Sequence, residues 1–168
     1  AARFVDVDKE VADVRAALGG ARDIVAETVA ERADVRAAAR AILLEHAMLV
    51  AEAVEEKRSE RNKFEQYYDF REGVATIPSH RFLALRRGER EGYLAIRLEL
   101  DAEHLRPRID TLVGYDPGSP FARELAMAID DAYGRLLLPS VETDVRVELK
   151  LRSDSEAVDH FARNLRHL

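Results

Sequence analysis

The segment from Ile77 to Gly92, IPSHRFLALRRGEREG, contains the residue types in this chain that most readily do chemistry. A serine and a histidine act as a nucleophile and its base when their side chains meet within hydrogen-bond distance. Ser79 and His80 are adjacent in sequence, and on most backbones adjacent side chains point apart. A helix is the better interpretation, with Ser79 as its N-cap and Gly88 as the left-handed residue that ends it. We therefore predict no catalytic residue here.

The same segment is rich in arginine, and guanidinium groups bind phosphate. In a contact with nucleic acid, Phe82, Tyr67 or Tyr68 would supply rings on which bases stack. Glu89 and Glu91 lie among the arginines, so a solvated face with intramolecular ion pairs is the competing interpretation. The sequence leaves both interpretations open. The candidate nucleic-acid residues are His80, Arg81, Arg86, Arg87 and Arg90.

The five histidines show no HExxH or HxH arrangement that would predict a metal site. His160 and His167 are seven residues apart, nearly on one face of a predicted helix, but no carboxylate follows His160 at i+3 or i+4. Two histidines without a further ligand make a poor metal site. We predict no metal and no other cofactor.

The composition of the 168-residue chain limits its partners, because the formal net charge is -6. Binding of a phosphate backbone by counterion release needs a surplus of cations, so nucleic acid is not expected to be the main partner of an acidic chain. The absence of cysteine excludes disulfides and thiolate chemistry. Neither a transmembrane-length apolar run nor a signal peptide is recognisable. We expect a cytoplasmic protein with no membrane contact and no small-molecule substrate.

Helical spacing of apolar residues in the first third predicts three short, alanine-rich helices. The first carries Val11–Leu18, the second Ile24–Val29 and the third Val35–His46. Gly19-Gly20 is predicted to separate the first two helices, and Asp34 is predicted to cap the third.

A small sheet is predicted between about residues 48 and 100. Alternation predicts a strand over Leu49–Val54, and the density of aromatic residues predicts another over Lys63–Phe70. The clearest strand is Tyr93–Leu100, where leucines and isoleucine occupy every second position.

The last third is predicted to be helical. Asp101 is the predicted cap of a helix that Pro107 delays or kinks, and Ser119 and Ser140, each beside a proline, are the predicted caps of two further helices. From Val141 onward, apolar residues recur both at every second and at every fourth position, so the spacing fits a strand or a helix. The length of this segment and its many charged residues favour a helix. The prediction is one α+β domain over residues 1–168, mostly helical, with a small antiparallel sheet and a long C-terminal helix.

Four segments together resemble one protein family. The blocks Pro-Ser-His-Arg at residues 78–81 and Leu-Leu-Pro-Ser at residues 137–140 are specific in combination. The chain is similar over essentially its whole length to the bacterial Tex family of transcription accessory proteins. The segments are KFEQYYDF (63–70), IPSHRFLALRRGEREG (77–92), AIDDAYGRLLLPSVETDVRVELK (128–150) and FARNLRHL (161–168).

The resemblance implies an internal piece of a longer protein. The family has an N-terminal helix-turn-helix-like region, and this piece would precede a ribonuclease-H-like YqgF domain and lack the C-terminal S1 RNA-binding domain. The resemblance also implies one long helix over Val141–Leu168 and strands near 49–54 and 63–68. The implied function is a non-catalytic structural part that supports nucleic-acid-binding domains and contacts RNA polymerase or other transcription factors. The alternative is a module that binds nucleic acid itself, through the arginine cluster at 81–90.

Overall fold

The structure, a computed structural model, describes residues 2–6 and 11–165. Within these residues, six α-helices and three β-strands carry the fold, and a π-helical segment, Ala132–Leu137, leads into the last helix. In chain order they are α1 (Val14–Glu31), α2 (Ala33–His46), β1 (Met48–Ala53), β2 (Asp69–Gly73), α3 (Ser79–Arg90), β3 (Leu94–Glu99), α4 (Ala102–Val113), α5 (Ala122–Asp131) and α6 (Leu138–Leu165).

The three strands form an antiparallel sheet in the order β2–β1–β3. Val50 of the central strand lies opposite Arg71 of β2 and opposite Arg97 of β3. Residues Leu49 and Ala51 of β1 are fully buried, as expected for a strand with a neighbour on each side. The α+β fold, the small antiparallel sheet and the long C-terminal helix confirm the sequence prediction.

The chain divides into two compact units. The first consists of Ala1–Ala39 and Ala102–Val141, and the second of Arg40–Asp101 and Glu142–Leu168. Helices α2 and α6 each contribute residues to both units. The interpretation as one domain stays a prediction. In the described parts of the chain, no helix is both long and apolar enough to cross a membrane.

In the first unit, α1 is a single helix of 18 residues, so the predicted break at Gly19-Gly20 is wrong. Glycine lowers helix stability by about 1 kcal/mol per residue but does not end a helix whose other turns are packed. The buried residues Ala26 and Val29 lie in the half of α1 that follows the glycines. The carboxylate of Asp13 accepts a hydrogen bond of 2.8 Å from the Ala16 N–H and so caps the helix.

Two further helix starts in the first unit bear on the predictions. Helix α2 begins at Ala33, so Asp34 lies within its first turn and the prediction of Asp34 as the N-cap is wrong. The Asp34 carboxylate instead pairs with Arg32 at 2.7 Å. Helix α4 begins at Ala102, directly after Asp101, and contains Pro107 in its interior.

Ser119 does not cap α5, which begins at Ala122 with Phe121 as its N-cap. One hydrogen-bonded turn comes first: the Ala122 N–H donates to the Ser119 carbonyl at 3.0 Å. The Ser119 hydroxyl accepts from the Phe121 N–H at 3.2 Å, so it satisfies a donor of this turn and not one of the helix.

Ser140 is not a cap either, because α6 begins at Leu138 and continues directly from the π-helical segment. The Leu138 N–H donates to the carbonyl of Tyr133, five residues earlier. Pro139 has no N–H, and its ring would clash with a carbonyl four residues back, so a local π-helical turn accommodates it without ending the helix. The Ser140 hydroxyl instead accepts from the Arg36 guanidinium at 2.9 Å.

In the second unit, the strand predicted over Lys63–Phe70 is wrong in position, since β2 occupies Asp69–Gly73. The residues before it form a 3-10 turn, Glu65–Tyr67. The Asn62 carboxamide oxygen accepts from the Phe64 N–H at 2.8 Å, and such local bonds compete with strand pairing. The strands predicted at 49–54 and 93–100 are confirmed as β1 and β3.

Helix α3 exists where predicted, but both of its predicted ends are wrong. Pro78 is the N-cap and makes no side-chain cap, while Ser79 is already helical. The helix continues through Gly88 to Arg90, and the left-handed residue that follows is Gly92, with φ of 78°. Gly88 is required for another reason: a Cβ at this position would lie 2.6 Å from Cδ1 of Leu94. Close packing of α3 on β3 therefore excludes a side chain there.

Candidate nucleic-acid interface on helix α3

Helix α3 positions the candidate residues by burying its opposite face. Phe82 and Leu85, three residues apart, are almost completely buried. Consequently His80, Arg87 and Arg90 are exposed to solvent.

Three of the four candidate arginines are engaged in ion pairs. Arg81 binds the carboxylate of Glu72 on β2 at 2.6 Å. Within α3, Arg86 lies 3.4 Å from Glu89, and Arg87 donates to Glu91, the residue directly after the helix, at 2.8 Å. The competing interpretation from the sequence, a solvated face with intramolecular pairs, is thus observed for these three. Arg90 makes no ion pair within the described parts of the chain.

Helix α6 adds two basic residues to this region that the sequence interpretation missed. Arg146 donates to the carboxylate of Glu89 and to the carbonyl of Ile96, the latter at 3.3 Å. Lys150, one helical turn further on, pairs with Asp154 at 2.7 Å. The i, i+4 spacing of the two basic residues places them on one face of α6. This spacing can be recognised in the sequence, whereas the proximity of the two residues to α3 cannot.

Together the two helices line a groove of about 420 Å³. Four cationic side chains and two carboxylates line it: Arg86, Arg87, Arg90 and Lys150, with Glu89 and Asp154. A smaller hollow of about 210 Å³ shares Arg86 and Lys150 and adds Arg146, with no carboxylate in its lining.

Ser79 and His80 do not form a catalytic pair. The Ser79 hydroxyl donates a hydrogen bond to the carboxylate of Glu156 on α6. Both residues and His160 line a separate hollow of about 510 Å³. A serine that donates to a carboxylate acceptor lacks the imidazole base that would activate it as a nucleophile.

The carboxyl group of Glu91, the residue directly after α3, is stabilised in its ionised form. The pKa of Glu91 lies below its usual value because Arg87 donates a hydrogen bond to it and Lys63 donates a second. The same direction holds for the pKa values of Glu52, beside Arg97, and of Asp131, beside Arg135. General acid–base catalysis at neutral pH needs a carboxyl pKa shifted upward, toward 7.

The described residues contain no group of three or more His, Asp or Glu that could hold a metal ion. His46 and His104 lie on α2 and α4, and His167 is outside the described residues.

A sequence profile described as Tex central region-like matches residues 1–161. The chain belongs to this Tex family. Protein YhgF of Escherichia coli K12 is 36% identical over the whole chain, and protein tex of Bordetella pertussis is 35% identical over the whole chain. The protein named transcriptional accessory protein Tex in Neisseria gonorrhoeae is 31% identical over 96% of the chain.

The chain spans 23% of the length of the first two Tex relatives and 22% of the third. Membership of the Tex family confirms the resemblance found in the sequence. Of the five candidate nucleic-acid residues, the structure brings Arg86, Arg87 and Arg90 together in one groove. It places Arg81 beside β2 and His80 in a different hollow.

Proposed function

We propose that this chain is a non-catalytic, structural part of a cytoplasmic transcription accessory protein of the Tex family. In this role it supports nucleic-acid-binding domains located elsewhere in a longer protein. Through that protein it contacts the transcription machinery, with RNA polymerase as the first partner to examine.

The observation that carries the proposal is the match to the Tex central region over residues 1–161. Two relatives at 31–35% identity are named protein tex and transcriptional accessory protein Tex, and each is more than four times as long as the matched region. A segment that forms less than a quarter of such proteins, with an α6 of 28 residues shared between two units, fits a supporting role.

The chemistry of the polar groups supports the non-catalytic part of the proposal. The segment with the most reactive residue types is held by internal contacts: Ser79 by Glu156, and Arg81 by Glu72. Glu91, beside Arg87, and Asp131, beside Arg135, have lowered carboxyl pKa values, which is the direction that ion pairing produces and not the one that a general acid requires.

Hydrolysis assays test the proposal directly. The purified chain is incubated with labelled single-stranded and duplex nucleic acid and with nucleoside triphosphates, in the presence of Mg²⁺ or Mn²⁺. We expect no turnover above buffer. Turnover that is lost on replacing one aspartate or glutamate by its amide would refute the non-catalytic role, because the activity would then belong to this chain and not to a contaminant.

A further inference from the structure

The groove between α3 and α6 differs in charge from the chain that contains it. Its lining has twice as many cationic side chains as carboxylates, whereas the whole chain carries a net charge of -6. The adjoining hollow extends this bias, since Arg86, Arg146 and Lys150 line it without a carboxylate. Local concentration of positive charge in a concave surface attracts polyanions even to an acidic protein.

We propose that this groove binds the phosphodiester backbone of nucleic acid, with Arg86, Arg87, Arg90 and Lys150 as the phosphate ligands. The proposed function places nucleic-acid binding in other domains, so this inference goes beyond it. These four phosphate ligands differ from the candidate residues predicted from the sequence. His80 and Arg81 are not among the ligands, and Lys150 of α6 is added.

The side chains in the groove are available to an incoming phosphate. Arg87 and Lys150 are about half exposed, with 60% and 51% of their side-chain surface accessible. Their partners, Glu91 and Asp154, lie four residues further along the chain, and exposed pairs with this spacing contribute little to stability. Arg90 is exposed and makes no ion pair within the described residues. A phosphate that binds Arg87 or Lys150 therefore replaces only a weak, solvent-exposed ion pair.

The groove recognises charge and not base identity. No aromatic side chain lines it, so bases find no ring on which to stack. Nucleic acid should consequently bind through its backbone alone, with RNA and DNA bound alike and with little dependence on sequence.

Fluorescence anisotropy across a salt series tests the proposal on the purified full chain. The probes are a labelled oligouridine and a labelled DNA duplex, each about 20 nucleotides long, titrated between about 50 and 200 mM salt. Four phosphate contacts predict a slope of log K against log salt of about -3 for the single strand, and a Kd of about 10⁻⁴ to 10⁻⁶ M.

Matched variants locate the binding. Arg90→Gln and Lys150→Gln should each weaken binding about five- to ten-fold at the lowest salt and reduce the slope by about 1. Arg61→Gln is the control, because Arg61 is exposed in the same unit but does not line the groove. All three substitutions are on exposed side chains, and a thermal melt of each variant verifies that it is folded.

Three results would overturn the proposal. The first is an absence of salt-dependent binding, and the second is an equal loss of affinity in Arg61→Gln. The third is competition by polyglutamate as effective as that by an oligonucleotide of equal charge, which would assign the groove to an acidic protein segment. None of these results affects the non-catalytic role, which the hydrolysis assays test independently.

Discussion

The hydroxyl of Ser79, the first residue of α3, donates a hydrogen bond to the carboxylate of Glu156 on α6. The two residues are 77 positions apart in the chain, so this bond joins two distant segments of the second unit. Arg152 adds a parallel contact by donating to the carbonyl of Ile77 at 3.3 Å. A serine whose sequence context suggests a local cap thus makes a tertiary contact.

The close contact of α3 with β3 predicts opposite effects for two glycine substitutions. Gly88→Ala should destabilise the protein by about 1–3 kcal/mol, because its Cβ would lie 2.6 Å from Leu94 Cδ1 and 3.1 Å from Phe64 Cδ1. Gly20→Ala is the matched control within α1, where nothing lies within 4 Å of the added Cβ. It should stabilise by up to about 1 kcal/mol through helix propensity. Urea denaturation measures both, and stabilisation by both alanines would contradict the packing of α3.

Ser153 on α6 carries a second prediction, because its hydroxyl is fully buried and has no hydrogen-bond partner within the described residues. Removing an unsatisfied polar atom relieves a desolvation penalty, so Ser153→Ala should leave the free energy of unfolding unchanged or raise it by up to about 1 kcal/mol. Leu149→Ala, at a neighbouring buried position of α6, should cost about 2–5 kcal/mol. A loss above about 1 kcal/mol in Ser153→Ala would show that the hydroxyl has a partner.

The pKa of Glu91 provides a third prediction, measurable by NMR titration of its side-chain carboxyl. Arg87→Gln should move this pKa upward, toward its usual value of 4.5, and Lys63→Gln should do so by less, because the Arg87 hydrogen bond is the larger cause of the shift. The sign for stability follows from a lowered folded-state pKa. The contribution of the pair is present above the unfolded-state pKa and is lost as the pH falls through the folded-state pKa. An unchanged Glu91 pKa in Arg87→Gln would contradict the pairing.

Elements with a strong repeating pattern were predictable from the sequence, whereas their ends were not. The alternation of Leu94, Ile96 and Leu98 correctly predicts β3, and the length and charge of the C-terminal segment correctly favour helix. The predicted break at Gly19-Gly20 fails because packing of the following turns, which bury Ala26 and Val29, outweighs glycine's low helix propensity. Segment 63–68 is rich in aromatic residues, but the local hydrogen bonds of Asn62 turn the chain there instead.

The candidate site was half predictable for a similar reason. Arg86, Arg87 and Arg90 lie close together in sequence, so their common location on one helix follows from spacing alone. Lys150 lies about 60 residues further along the chain and reaches the groove through tertiary packing of α6, which no local pattern encodes. Ser79 and Ser140 failed as predicted caps and have long-range partners, Glu156 and Arg36, whereas Ser119 accepts from a nearby N–H before its helix begins.

The proposed groove requires that polar contacts hold α6 beside α3, and this central claim is tested most directly by a double-mutant cycle on Ser79 and Glu156. The free energy of unfolding is measured for the wild type, Ser79→Ala, Glu156→Ala and the double variant. A hydrogen bond to a carboxylate at this position predicts a coupling energy of about 1 kcal/mol, with the double variant less destabilised than the sum of the singles. Additivity within about 0.3 kcal/mol would contradict the claim, because the two side chains would then act independently.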